Sequence, residues 1–179
     1  MKHHLLNNNV VLVDAEDVEI GTMSKMEAHR RGVLHRAFSV FIFNTRGELL
    51  MQQRADSKYH SPGLWSNTCC SHPFPGEMVG DAAERRLGEE MGITIELEPV
   101  FHFIYKSPVD NGLIEHEFDY VFFGTTDIYP KINTDEVQDW KYISLEDLEN
   151  DIEMFPENYT TWLKIVLGQV LAFKKNENV

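Results

Sequence analysis

The stretch that most limits what this chain can fold into joins a cysteine–histidine segment to a charged run. The segment is Thr68-Cys69-Cys70-Ser71-His72-Pro73, and the run ends Arg85-Arg86-Leu87-Gly88-Glu89-Glu90-Met91-Gly92. Residues 81–91 read as a helix, with Gly92 as its C-terminal stop, because glycine takes the left-handed conformation that ends helices. If residues 68–72 are extended, side chains alternate, so Cys70 and His72 face one way and Cys69 the other. Cys70 becomes the candidate for chemistry, while Cys69 reads as a small buried apolar residue. A thiol, an imidazole of the kind metals bind and a helix-borne acidic pair thus fall close together. That combination points to proton transfer more than to simple hydrolysis.

The remaining pattern supplies strands. Residues 9–13 read as a short strand followed by a turn at 14–17. Ser24 and Glu27 have the spacing of a helix capping box, so a short helix carries His29. The β-branched and aromatic run 38–43 suits a strand buried on both faces. Residues 44–47 read as a hairpin turn and 49–54 as the returning strand. A loop over 57–63 contains Pro62. Further strands are expected over 93–105 and 115–125, and helices over 145–151 and 159–174. Strands mixed with a few helices point to a sandwich of the α/β or α+β type.

The chain of 179 residues is long enough for one domain with a real core, and its 42% hydrophobic content fits a globular protein. No stretch approaches the roughly 20 apolar residues of a membrane span. The amino terminus lacks a signal core. The net charge of −13 argues against nucleic-acid or membrane-surface binding, which need positive surface. Two adjacent cysteines cannot staple distant segments, and a reduced, cytoplasmic setting is the simpler expectation.

His3 and His4 lie in a terminus expected to fray and carry little weight. Taken singly, His29, His35 and His72 read best as ordinary surface or core histidines. Together, three neutral imidazoles with carboxylates would bind a divalent transition metal. Glu115-His116-Glu117 lies in an expected strand, where the two glutamates share a face and His116 points away. Such a pair needs solvent or a cation, and the apolar residues that follow favour a cation. A thiol near positive charge is expected to have its pKa lowered toward neutrality, which suits a general acid or base.

Glu77, Arg85-Arg86, Glu89-Glu90 and Gly92 together resemble the Nudix box, whose glutamates hold the Mg²⁺ ions that activate water against a diphosphate. The match is partial: Ser71 stands where the box has its first glycine, and Arg86 where it has a glutamate. A guanidinium there should weaken metal-assisted hydrolysis and offers a contact to phosphate oxygens. Further pieces are Leu34-His35-Arg36-Ala37-Phe38-Ser39, Ser66-Asn67 ahead of the cysteines, and Glu115-His116-Glu117. In that order and spacing, from about residue 10 to about 171, the chain resembles the type I isopentenyl-diphosphate isomerases.

The resemblance implies a single Nudix-type α/β/α sandwich domain with a mixed sheet over residues 1–179, its core at about 34–165. It implies metal-dependent isomerisation of isopentenyl to dimethylallyl diphosphate through a carbocation, with Cys70 and Glu117 as the proton-transfer pair. His29, His35, His72, Glu115 and Glu117 would hold one Mn²⁺, Mg²⁺ or Zn²⁺. Glu90 and the backbone carbonyl of Cys70 would hold a Mg²⁺ that arrives with the diphosphate. Lys25, Arg54, Lys58 and Arg86 match the family's contacts to that diphosphate. Tyr105 matches a tyrosine that hydrogen-bonds the catalytic glutamate. Trp162 matches an aromatic wall for the cation, although core packing on the last helix explains it equally well.

The rival readings are a Nudix hydrolase of a nucleoside or prenyl diphosphate and a non-catalytic Nudix ligand-binding domain. The native metal, a monomeric or dimeric state, and which of Cys70 and Glu117 adds the proton stay open.

Overall fold

The computed structural model describes residues 8–177. His3 and His4 fall outside them. Nine strands and four α-helices follow one another among the described residues. They are β1 (Asn9–Val13), β2 (Glu19–Ser24), α1 (Lys25–Arg31), β3 (His35–Phe43), β4 (Leu49–Arg54), β5 (Trp65–Ser66) and β6 (Cys69–Ser71). Then come α2 (Val79–Met91), β7 (Glu98–Pro108), β8 (Ile114–Thr125), β9 (Val137–Ile143), α3 (Leu145–Met154) and α4 (Thr161–Glu177).

The apolar run of β3 makes it the spine. Phe38, Val40 and Ile42 pack with Cys69 against Leu87 and Met91 of α2. Phe41 and Phe43 point to the opposite face, against Leu163 and Val166 of α4. Each such side chain contributes about 1.5–3 kcal/mol on burial, so both helices are clamped onto one strand and the sheet becomes the middle layer of an α/β/α sandwich. β8 runs parallel to β3 from the pair His35↔Glu117 to Phe43↔Thr125, and β7 lies antiparallel on β8. The sheet is therefore mixed. The other edge of β3 is shared by β1, β6 and β4.

The start of α1 forms as the capping box foretells, with Ser24 Oγ accepting from Glu27 N at 3.4 Å. Gly92 ends α2 at φ 65°, and a Cβ there would sit 2.6 Å from the Lys131 carbonyl oxygen. Two expectations change. The turn at 44–47 forms, yet β4 meets β3 only at Phe43↔Leu49 and instead runs along β9 from Leu49↔Ile143 to Arg54↔Val137. β6 occupies the edge of β3 that a hairpin partner would need. The strand expected from residue 93 begins only at Glu98. Ile93 and Leu97 are buried against the α2 layer without joining a ladder, so their alternation reports burial and not pairing. The strands β2, β5 and β9 went unread, being short or rich in polar residues.

Candidate active site

Sheet register gathers the site. His35 pairs with Glu117 across β3 and β8, and Glu117 pairs with Tyr105 across β8 and β7. Paired residues project to one face, so an imidazole, a carboxylate and a phenol stand in a row. Glu115, two residues back on β8, shares that face. Across the other edge of β3, Ser39 pairs with Cys70 of β6. Cys70 and Glu117 therefore reach one cavity of about 50 Å³ from opposite flanks of β3. His116 turns away and binds the Gly32 carbonyl through Nδ1 at 3.0 Å.

The imidazoles of His29 and His35 are held by their Nδ1 atoms. His29 Nδ1 donates to the Lys25 carbonyl at 2.7 Å, and His35 Nδ1 to the Val33 carbonyl at 2.8 Å. Each bond selects the tautomer that leaves Nε2 with a lone pair. Burial, helped by His35, pushes His29 down to about 4. Burial and then Lys25 also lower His72. His29 Nε2 is buried with no hydrogen-bond partner. His35 Nε2 lies 3.2 Å from His72 Nε2, which is 2.9 Å from Glu117 Oε1. One atom from each of His29, His35, His72 and Glu117 lies within 4.8 Å of the others. Neutral nitrogens, one of them orphaned and two facing each other, beside a carboxylate fit a divalent ion.

The two glutamates differ. Burial and the charge of Glu117 push Glu115 up to about 8. Burial would raise Glu117 too, but the neighbouring imidazoles of His35 and His72 outweigh it and hold Glu117 well below the usual carboxylate range. Tyr105 OH lies 2.9 Å from Glu115 Oε2 and 2.8 Å from Glu117 Oε2. One hydroxyl proton cannot serve both oxygens, so a proton on Glu115 or a cation between the acids completes the arrangement.

The thiol overturns one expectation. Burial and then Asp119 push Cys70 up to about 12, against the hydrogen bonds of Ser39 and Asn67. Its Sγ donates to Asn67 Oδ1 at 3.0 Å, so it is a neutral thiol and not an activated thiolate. Cys69 is fully buried on the α2 side, as its alternate position requires. Trp162 packs in the core beside Leu163, donates Nε1 to Ser66 Oγ at 2.9 Å, and also reaches the cavity.

Lys25, Lys58 and Arg86 line both the cavity and an adjoining groove of about 390 Å³. Lys58 pairs with Glu136. Arg86 spans Glu89 at 2.7 Å, Glu136 at 3.2 Å, and Glu90. The second oxygen of Glu90 accepts from Gln52 Nε2 at 3.1 Å, and the carboxylate is buried. Arg54 lines the inner cavity only, where it holds the carbonyls of His60 and Ser61 at 3.0 and 3.1 Å. It fixes a loop in addition to facing the cavity.

A NUDIX domain model matches residues 33–163. Isopentenyl-diphosphate Delta-isomerase 2 of Aromatoleum aromaticum is 51% identical over 167 residues, 93% of this chain and 88% of that protein. The isopentenyl-diphosphate Delta-isomerase of Pectobacterium atrosepticum is 51% identical over 173 residues, 94% of this chain and 97% of its own length. The chain belongs to the isopentenyl-diphosphate Delta-isomerase family. Solved structures show the Nudix fold beneath it. A Deinococcus radiodurans protein matches at a TM-score of 0.77 and 20% identity, over 90% of this chain and 98% of that one. A MutT protein of Methanosarcina mazei matches at 0.64 and 19%, over 79% and 96%.

In this isopentenyl-diphosphate Delta-isomerase family member, α2 is the Nudix helix. Glu77 secures the loop before it by accepting from Arg85 Nε at 2.7 Å and Phe74 N at 2.8 Å. Two residues of the site escaped the sequence reading. Asp119 is buried, bonded by Ser39 Oγ at 2.8 Å, and was legible as the next step of the Glu115, Glu117 alternation. His60 forms a second close group with His29 and Glu115. It lies in an irregular loop, where no periodicity marks it. No described helix is long and apolar enough to cross a membrane.

Proposed function

We propose that this chain isomerises isopentenyl diphosphate to dimethylallyl diphosphate, moving the double bond from C3–C4 to C2–C3. The observation that carries this reading is the approach of Cys70 and Glu117 to one cavity from opposite flanks of β3. A proton added at C4 and another removed from C2 need two groups on opposite sides of a short alkene. Tyr105 positions Glu117 through its hydroxyl. The intermediate is a tertiary carbocation, which water would trap, so the small size of the cavity is part of the chemistry. Trp162 offers the cation an electron-rich face.

Lys25, Lys58 and Arg86 hold the diphosphate where the cavity meets the groove, and Arg54 adds its charge from the inner cavity. Lys25 is lowered first by burial and then by Arg54 and Arg86, a crowding of cations that an anion relieves. His29, His35, His72, Glu115 and Glu117 hold one Mn²⁺, Mg²⁺ or Zn²⁺, and Glu90 with the Cys70 carbonyl holds a Mg²⁺ that accompanies the diphosphate. Bound there, these ions supply positive charge beside Glu117 and the phosphates. The isomerase domain spans residues 1–179, with its Nudix core at about 34–165. Two free thiols suit a reducing cytoplasm.

The test is incubation with isopentenyl diphosphate and Mg²⁺ in deuterated water. The allylic isomer should form with deuterium in the methyl derived from C4. Phosphate release without that isomer would make the chain a hydrolase, and binding without turnover would make it a ligand-binding domain.

A further inference from the structure

Two donor groups share one residue, His29. His29, His35, His72 and Glu117 form one, and His29, His60 and Glu115 the other, each within 4.8 Å among its own members. His29 Nδ1 is committed to the Lys25 carbonyl, so Nε2 carries its one available lone pair. One lone pair binds one ion, so an ion held by His29 has donors of both groups around it, and the two sets close together if they share it. We propose that His60 Nε2 is a fourth imidazole ligand of the metal centre. With His29, His35, His72, Glu115 and Glu117 it completes a six-donor set of four nitrogens and two carboxylates. The inference rests on the metal centre proposed above and extends it.

His60 Nε2 lies 3.5 Å from Glu115 Oε1, longer than an ordinary hydrogen bond of about 2.7–3.2 Å. Two ligands at right angles on bonds of about 2.1 Å lie about 3 Å apart, so a slight closure brings both onto one ion. The ring's other nitrogen faces Ser61 Oγ at 3.4 Å. The loop is built to deliver this ring. Arg54 grips the carbonyls of His60 and Ser61, Asp110 accepts from Ser61 N at 2.8 Å, and Asn111 Nδ2 donates to the Tyr59 carbonyl at 2.9 Å. Ser61 itself is held at φ 49°, which a non-glycine residue adopts only where its surroundings over-determine it. The outcome of these constraints is a buried imidazole aimed at Glu115 and His29.

A fourth nitrogen shifts preference toward Zn²⁺ and Co²⁺ over Mg²⁺, which favours oxygen. X-ray absorption on the Zn²⁺-loaded parent should count four imidazoles. His60→Ala and His60→Gln should weaken Zn²⁺ about tenfold or more, leave Mg²⁺ nearly unchanged, and alter the visible spectrum of bound Co²⁺. Three imidazoles in the parent would overturn the assignment while leaving the metal centre intact. Absence of metal from the parent would remove both. Weaker Zn²⁺ binding with an unchanged Co²⁺ spectrum would make His60 a positioning residue and also overturn the assignment. The parent count decides the matter even if a variant fails to fold.

Discussion

Tyr105→Phe removes one oxygen from the middle of the site and little else. The ring is 6% exposed and stacks on Phe103 with centroids 5.4 Å apart, so phenylalanine keeps the packing. What is lost is the hydroxyl at 2.9 Å from Glu115 and 2.8 Å from Glu117. A hydrogen bond to a charged group contributes about 1.5–3 kcal/mol. If that energy holds Glu117 in line with the alkene, it is lost from the chemical step, where about 1.4 kcal/mol is a decade in rate. The expected fall in kcat is thus about 10- to 150-fold, with KM changed by less than about threefold. Steady-state formation of the allylic product measures it, and thermal unfolding of the same sample, lowered by only ~2–4 °C, checks the fold. A kcat within threefold of the parent, or a loss confined to KM, would refute the positioning role.

Dialysis against a strong chelator should abolish turnover, and a divalent metal should restore it; undiminished activity in metal-free buffer would count against the His/Glu centre. Gly92→Ala should destabilise the fold by about 2–4 kcal/mol, since its φ is 65° and the new Cβ would lie 2.6 Å from the Lys131 carbonyl oxygen. A denaturant titration showing a loss under about 1 kcal/mol would refute that reasoning. For Glu77, burial acts to raise the pKa, but the hydrogen bonds from Arg85 and Phe74 prevail and set it below the ordinary 4.5. A depressed folded-state pKa adds stability above the unfolded value that disappears as pH falls through the folded one. Glu77→Gln should therefore flatten the decline in stability below pH 4.5, and an unchanged acid limb would show that the pair is not linked to folding.

Local rules made the elements readable where a residue has one conformational option. Ser24 caps α1 and Gly92 closes α2 because each satisfies a helix end in a way few residues do. Alternation separated Cys70 from Cys69 and Glu115 and Glu117 from His116, since the strand period is rigid. Pairing was harder. The edge of β3 is contested by β1, β4 and β6, and no local signal in residues 49–54 reveals that β9, almost ninety residues on, takes most of β4. The residue types suggested a metal, but the full ligand set was legible only as a resemblance, because His29, His35 and His72 become neighbours through register and a short helix. His60 was invisible for the same reason, as its placement depends on Arg54, Asp110 and Asn111 acting on a loop. The thiol's protonation depends on depth, which spacing does not report.

Arg86 explains how a hydrolytic helix can serve an isomerase. A glutamate in its place would join Glu89, Glu90 and Glu136, and that cluster would demand several cations, each bringing water within reach of the substrate. The guanidinium supplies its charge covalently and contacts all three acids itself. It also borders the groove that adjoins the cavity, so on the proposed reading the same charge would face an incoming phosphate. On the proposed reading, an acidic chain of net charge −13 would thereby keep positive charge at the groove with fewer bound ions than a hydrolytic box needs. A carbocation survives only where water is kept away. On this argument the change from carboxylate to guanidinium at one helical position would both anchor the anion and protect the proposed intermediate beyond it.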